Sequence, residues 1–164
     1  MKKTLKSFPK IAFAIALGVC ATLGNRATAN TITPSAVSFP TPGVWVYGAD
    51  HTSGELHAGD SFTIFDFGGY VAGSIYAPLL WTSTAMLVGN LPVGAPIGPD
   101  NASEYNLVFT YTGPSFENLG LASLGLFGAT TTYTTIVVDD WISQDHDIGV
   151  PTVVGDGGVG TIHR

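Results

Sequence analysis

From Asn30 to Arg164 no run of residues makes a convincing helix, and that absence decides the fold class. Apolar residues recur instead at every second position, in short runs rich in Val, Ile, Thr and aromatics, and the runs end at Gly or Pro. A period of two places alternate side chains on opposite faces of a strand. Short strands separated by Gly and Pro turns predict an all-β chain, a single antiparallel β-sandwich of jelly-roll-like or immunoglobulin-like type.

The stretch "AGDSFTIFDFGGYVAGS", Ala58 to Ser74, shows the pattern and one break in it. Phe62 and Ile64 alternate with Ser61 and Thr63, after which Phe65 and Phe67 flank Asp66. A one-residue slip turns every later side chain to the wrong face. The slip predicts either a bulge near Phe65 or a strand covered on both faces, ending at Gly68-Gly69. Asp66 is then expected as an outward-facing strand residue or the partner of a backbone turn.

Elsewhere, Asn30 to Pro42 reads as an extended lead-in, Val44 to Tyr47 as a short strand and Gly48 to Asp60 as polar turns. Trp81 to Leu87 reads as a strand with Trp81, Ser83, Ala85 and Leu87 on one face. Gly89 to Glu104 is a long loop. Asn106 to Thr112 alternates, with Leu107, Phe109 and Tyr111 inward. Leu119 to Phe127 reads as a strand, since each Gly would cost a helix interior about 1 kcal/mol. Thr130 to Trp141 is β-branched throughout and predicts one strand with Tyr133, Val137 and Trp141 on a face. After Ile142 the period fades. The organisation expected is residues 1–29 a signal peptide, 30–141 the sandwich, and 142–164 a Gly-rich linker or tail with one edge strand at most.

The leader reading rests on three features. Lys2, Lys3, Lys6 and Lys10 form a basic start, Ile11 to Leu23 is an apolar stretch of thirteen residues, and Ala27-Thr28-Ala29 is a small-x-small cleavage site. Thirteen apolar residues fall short of the ~20 that span a bilayer. Cys20, the only cysteine, follows Val19 rather than the small residue a lipidation signal needs, so it leaves with the leader. The protein is expected to be exported to the periplasm, cell surface or medium, with no membrane span in the remaining chain. The 135 residues from Asn30 then hold one cation, Arg164, against twelve acids, a formal charge of −11 with no lysine. Phosphate contacts need Lys or Arg, so nucleic-acid binding and phosphoryl transfer are excluded.

The candidate chemistry is sparse. Asp145-His146-Asp147 with Gly149 has a partial calcium-loop pattern, to which Asp139 and Asp140 could add oxygens, but the far-end Glu is missing. His51 and His57 flank Glu55 and could meet at a metal, although polar loop residues in water read the same way. Asp60, Asp66 and Glu104 are the acids from which a glycosidase pair would be drawn. Trp45, Tyr47, Trp81, Tyr105, Tyr111 and Trp141 could form a sugar-stacking platform or a core. "GDGGVG", Gly155 to Gly160, lacks the Lys-Ser/Thr of a phosphate loop and reads as linker. There is no G-x-S-x-G nucleophile elbow. No catalytic, cofactor-binding or metal-ligating residue is assigned from these patterns, and no cofactor is expected.

The pairing "FTIFDFGGYV…NLVFTYTG" within Ala58 to Thr112, with Trp81 between, "YTT" after, and "SQDHDIGVP…GGVGTI" late, resembles bacterial secreted proteins that carry the exosortase-recognised PEP-CTERM sorting signal. The resemblance implies export, a place at the cell envelope, and association with extracellular polysaccharide or biofilm matrix, mostly without enzymatic activity. Its partners would be extracellular polysaccharide or other envelope proteins. The Pro-Glu-Pro motif, apolar helix and arginine cluster of that signal are not found before Arg164, and the resemblance leads us to expect them further along the gene. The alternatives are a carbohydrate-binding module, calcium-assisted or not, and a carboxylate hydrolase.

Overall fold

The computed structural model describes residues 31–38, 43–52, 54–89, 100–118, 120–146, 148–149 and 153–163, with the backbone alone at 36–38, 118, 136–139 and 153–163. The expected signal peptide, Cys20, most of the 89–104 loop and Asp147 lie outside these residues. Among the described residues ten strands follow one another: β1 (Ile32–Ser38), β2 (Val44–His51), β3 (Gly54–Leu56), β4 (Ser61–Phe67), β5 (Trp81–Met86), β6 (Tyr105–Tyr111), β7 (Phe116–Asn118), β8 (Ala122–Thr130), β9 (Ile136–His146) and β10 (Val153–His163). The smaller sheet runs β1-β2-β8. The larger runs β5-β6-β4-β9-β3-β7, with β10 added on β9. All the strand pairs are antiparallel.

The two sheets pack face to face as a β-sandwich. Trp45, Tyr47 and Ala49 of β2 and Phe127 and Ala129 of β8 meet Phe62, Ile64 and Phe67 of β4 and Leu107, Phe109 and Tyr111 of β6. Rings make the centre. Phe62 lies 4.9 Å from Phe109 and 5.0 Å from Phe127, and Trp81 stands edge-on to Phe127 at 5.1 Å. Aromatic pairs at such distances add to the stabilisation from area burial alone.

The phase slip in β4 is real, and both of its predicted explanations hold. Ile64 faces Leu107 while Phe67 faces Tyr105, so β4 carries one residue more than β6 across the same interval. That is a bulge. Asp66 sits in it at φ 49, a left-handed conformation that Asp tolerates better than most residues. The bulge returns Phe67 to the core face beside Phe62 and Ile64. Phe65, on the other face, is 2% exposed, under Gly89, where no Cβ would fit.

Four expectations are corrected. The lead-in is a strand, β1, laddered to β2 from Ile32 opposite His51 onward. The segment 48–60 is not all turn, since β2 continues to His51 and β3 follows. The threonine run does not form one strand with Trp141. β8 stops at Thr130 and β9 begins at Ile136. Between them Thr131 Oγ1 donates to Gly68 O at 2.6 Å and Thr132 N to Gly69 O at 2.8 Å, so the run latches the turn after β4. Finally, β9 continues past position 142 to His146, and 153–163 is not linker but the one edge strand allowed for the tail, with Val153 facing His146 and His163 facing Ile136. Glycine contributes no side-chain period, so a ladder built on Gly155, Gly157, Gly158 and Gly160 leaves no pattern to read.

Candidate functional site: a carboxylate and histidine corner

The turn from β3 into β4 is closed by its own acid. Asp60 N donates to His57 O at 3.0 Å, and Asp60 Oδ2 accepts from His57 N at 2.7 Å. Gly59, at φ 107, supplies the backbone conformation and donates to Tyr111 O. Asp60 Oδ1 lies 2.8 Å from Nδ1 of His146, at the end of β9. The β4–β9 register, Ser61 opposite Gln144, makes this meeting possible.

A second histidine–acid pair lies against the first. His57 Nε2 is 2.7 Å from Glu55 Oε2, and Glu55 Oε1 accepts from Gly149 N at 3.0 Å. The rings of His57 and His146 stack at 4.3 Å and 25°. The order is therefore Glu55, His57, His146, Asp60. It is graded in depth, from the half-exposed His57 and Glu55 to Asp60 at 1%. The Gly149 N–H, and after it His57, hold the Glu55 carboxyl below its ordinary range. Burial pushes the Asp60 carboxyl up, against the hydrogen bond from His57 N and the charge of His146.

On the core side of β9, His51 Nε2 lies 3.3 Å from Asp145 Oδ2, with both side chains fully buried. The pair joins the two sheets, β2 to β9. Nearby strand positions also carry buried hydroxyls, Tyr47 and Ser143. Burial drives the Tyr47 hydroxyl well above its ordinary range.

Asp66 belongs to a separate network. Its Oδ1 accepts from Asn101 N at 2.9 Å, and its own N–H donates to Asn106 Oδ1 at 2.8 Å. Asn106 Nδ2 donates to Asp100 Oδ1, and Asp100 Oδ2 accepts from Gly89 N, both at 3.0 Å. Gly89 and Asp100-Asn101, the two ends of the long loop, are thus tied to the bulge.

The sequence-derived candidates sort as follows. His51 turns inward to Asp145, and Glu55 pairs with His57, so the two histidines flanking Glu55 serve different partners. Among the described residues no group of three or more His, Cys, Asp or Glu is arranged to hold a metal ion. Asp60 and Asp66 lie at opposite ends of β4, roughly 20 Å apart by strand rise. A glycosidase pair needs about 5 to 9.5 Å. Glu104 lies in the turn that starts at Asn101, its N–H donating to Asn101 O. Of the aromatics, Trp45, Tyr47, Tyr111 and Trp141 are buried and Trp81 is half-buried. Tyr105, 39% exposed, packs on Tyr70 at 5.1 Å. The pairings His51–Asp145 and His146–Asp60 were not read from the sequence. The alternation Trp45, Tyr47, Ala49, His51 carried the signal for the first.

Compared with protein-family models, with curated proteins and with solved structures, the chain matches none. Among the described residues no helix is long and apolar enough to cross a membrane.

Proposed function

We propose that the protein is an exported, non-enzymatic scaffold of the cell envelope or extracellular matrix, associated with exopolysaccharide or with other envelope proteins. One observation carries the reading. The two buried acids at the ends of β4, Asp60 and Asp66, each accept a loop amide, from His57 N and Asn101 N. A carboxylate committed to a backbone N–H holds a turn, and that is a structural task. The export half of the reading is supported by the basic start, apolar stretch and small-x-small site of residues 1–29.

Fractionation of cells that make the protein tests the reading. The chain should be recovered with the envelope or the polysaccharide matrix, its N-terminus at Asn30 or within a residue or two. Recovery from the cytoplasm with Met1 retained would overturn it. So would hydrolysis of a polysaccharide by the purified protein that is lost on Asp60→Asn.

A further inference from the structure

β5 is an edge strand of the larger sheet, and among the described residues it pairs with β6 alone. Its other side follows from one hydrogen bond. Leu80 O accepts from Thr112 N, so the same peptide turns its Trp81 N–H outward, where Pro78 O accepts it. Along an extended strand the direction alternates, which leaves Ser83 and Ala85 with N–H and C=O at the edge.

The molecule's other edges, β1, β7, β8 and β10, carry features of the kinds that blunt edge-to-edge pairing, and in β10, paired with β9 alone, the feature is the charged Asp156. β1 contains Pro34, and β7 is three residues long with Glu117 in its middle. The outer side of β8 is covered by bridges from Tyr70 to Thr131 and from Tyr76 to Gly128. β5, "WTSTAM", has neither charge nor proline. It is flanked instead by exposed apolar residues: Leu79 at 91%, Leu80 at 44%, Leu87 at 44% and Val88 at 64%.

We infer that β5 is the interface of a two-fold homodimer, in which the β5 edges of two copies pair antiparallel about Ser83. The sequence of the edge is self-complementary in this register. Outward-directed residues must face outward-directed residues, so Ser83 meets its own copy and Trp81 meets Ala85. Thr82 then meets Thr84, both exposed and on one face, a favourable cross-strand pair. The Leu79-Leu80 flank of each copy lies against the Met86-Leu87-Val88 flank of the other. Charge selects the occupant. Between Asp66 and Asp100 the chain has no charged residue, although Asn30 to Arg164 carries −11. The repulsion that keeps copies apart elsewhere is thus weakest at β5, and a basic partner finds nothing there to attract it. An isologous contact uses both edges and closes, so it yields a dimer and not a fibre.

Sedimentation equilibrium of the purified protein tests this. The expected result is a reversible dimer. Placing acids opposite each other with Thr82→Glu plus Thr84→Glu should weaken it roughly tenfold or more. Ser83→Pro should do the same, because the N–H it removes points away from β6. Hydrogen exchange at Ser83 and Ala85 should slow as protein concentration rises. A chain that stays monomeric up to millimolar concentration would overturn the inference, as would a Glu double variant that dimerises as tightly as the parent. If Ser83→Pro fails to fold, the Glu pair decides, since Thr82 and Thr84 are exposed on the outer face.

Discussion

β4 ends in a buried aspartate at each side, and the two have opposite characters. Asp60, one residue before the strand, is 1% exposed, and Asp66, in the bulge near its other end, is 4%. Each holds a loop by accepting a backbone N–H. Asp60 does so beside two histidines and a second acid, all of them titratable. The Asp66 network instead holds no histidine among the bonds described, and runs through the Asn106 side-chain amide, the Asp100 carboxylate and the backbone amides of Gly89 and Asn101. One corner therefore sets two acids against two histidines, and the other anchors a long loop through amides. Burying an acid does not by itself make a chemical site. The neighbours decide what its proton can do.

The sharpest way to break the comparison is Asp66→Ala. It removes the acceptor for Asn101 N and asks Ala to adopt φ 49. Losing a buried hydrogen bond and adding left-handed strain should together cost about 3 kcal/mol, read by urea unfolding. Asp60→Ala comes next, at about 2 kcal/mol, because it strips both His57 N and His146 of an acceptor while the backbone there is unstrained. If the two were equal, the contribution of the bulge conformation would be refuted.

The asparagine variants separate geometry from charge. Asp66→Asn keeps an acceptor and tolerates the left-handed backbone, so it should cost about 1 kcal/mol or less. Asp60→Asn should instead change the pH profile. A carboxyl whose folded pKa is raised takes up its proton more readily folded than unfolded. Its contribution favours folding at low pH and is lost as pH rises through the folded value. Asp60→Asn should abolish that component, visible as a different slope of melting temperature against pH just above the ordinary carboxylate range. An unchanged slope would count against the assignment.

The smallest effect is expected at Glu55→Gln. The lowered pKa of Glu55 has the opposite sign, with stability present above its ordinary value and lost as pH falls through the folded one. Glu55 and Asp60 thus oppose each other across the acid range. The Gln variant should be slightly less stable than the parent near pH 7 and lose less on acidification to about pH 4, where the two converge. Thermal melts at the two pH values check it.

What could be read in the sequence followed the side-chain period. β4 and β6 announce themselves because Phe62 and Ile64 alternate with Ser61 and Thr63, and Leu107, Phe109 and Tyr111 with the β-branched Val108 and Thr110. Even the bulge was visible, as a slip at Phe65. β10 was not, because backbone hydrogen bonds can build a ladder on glycines that contribute no pattern. β3 was hidden by its length of three residues. At the site, every titratable residue was noticed as a residue type, but the partners were misjudged. His57 was set beside His51, its neighbour in sequence, while the fold stacks it on His146. That meeting depends on the β4–β9 register, which joins positions about half the chain apart. Local spacing has no access to such a register.

β9 has a consequence for the order in which the chain is made. It lies inside the larger sheet, between β4 on one side and β10 on the other. Yet its residues leave the ribosome after eight other strands have already emerged. Until His146 has been delivered, β4 has a partner in β6 only, and Asp60 and His51 lack the histidine and aspartate that pair with them. The early strands must wait, partly assembled, with unfinished edges. Long-range β pairing is slow and exposes sticky intermediates. The half-sheet that waits for β9 is the form that a holding chaperone would meet.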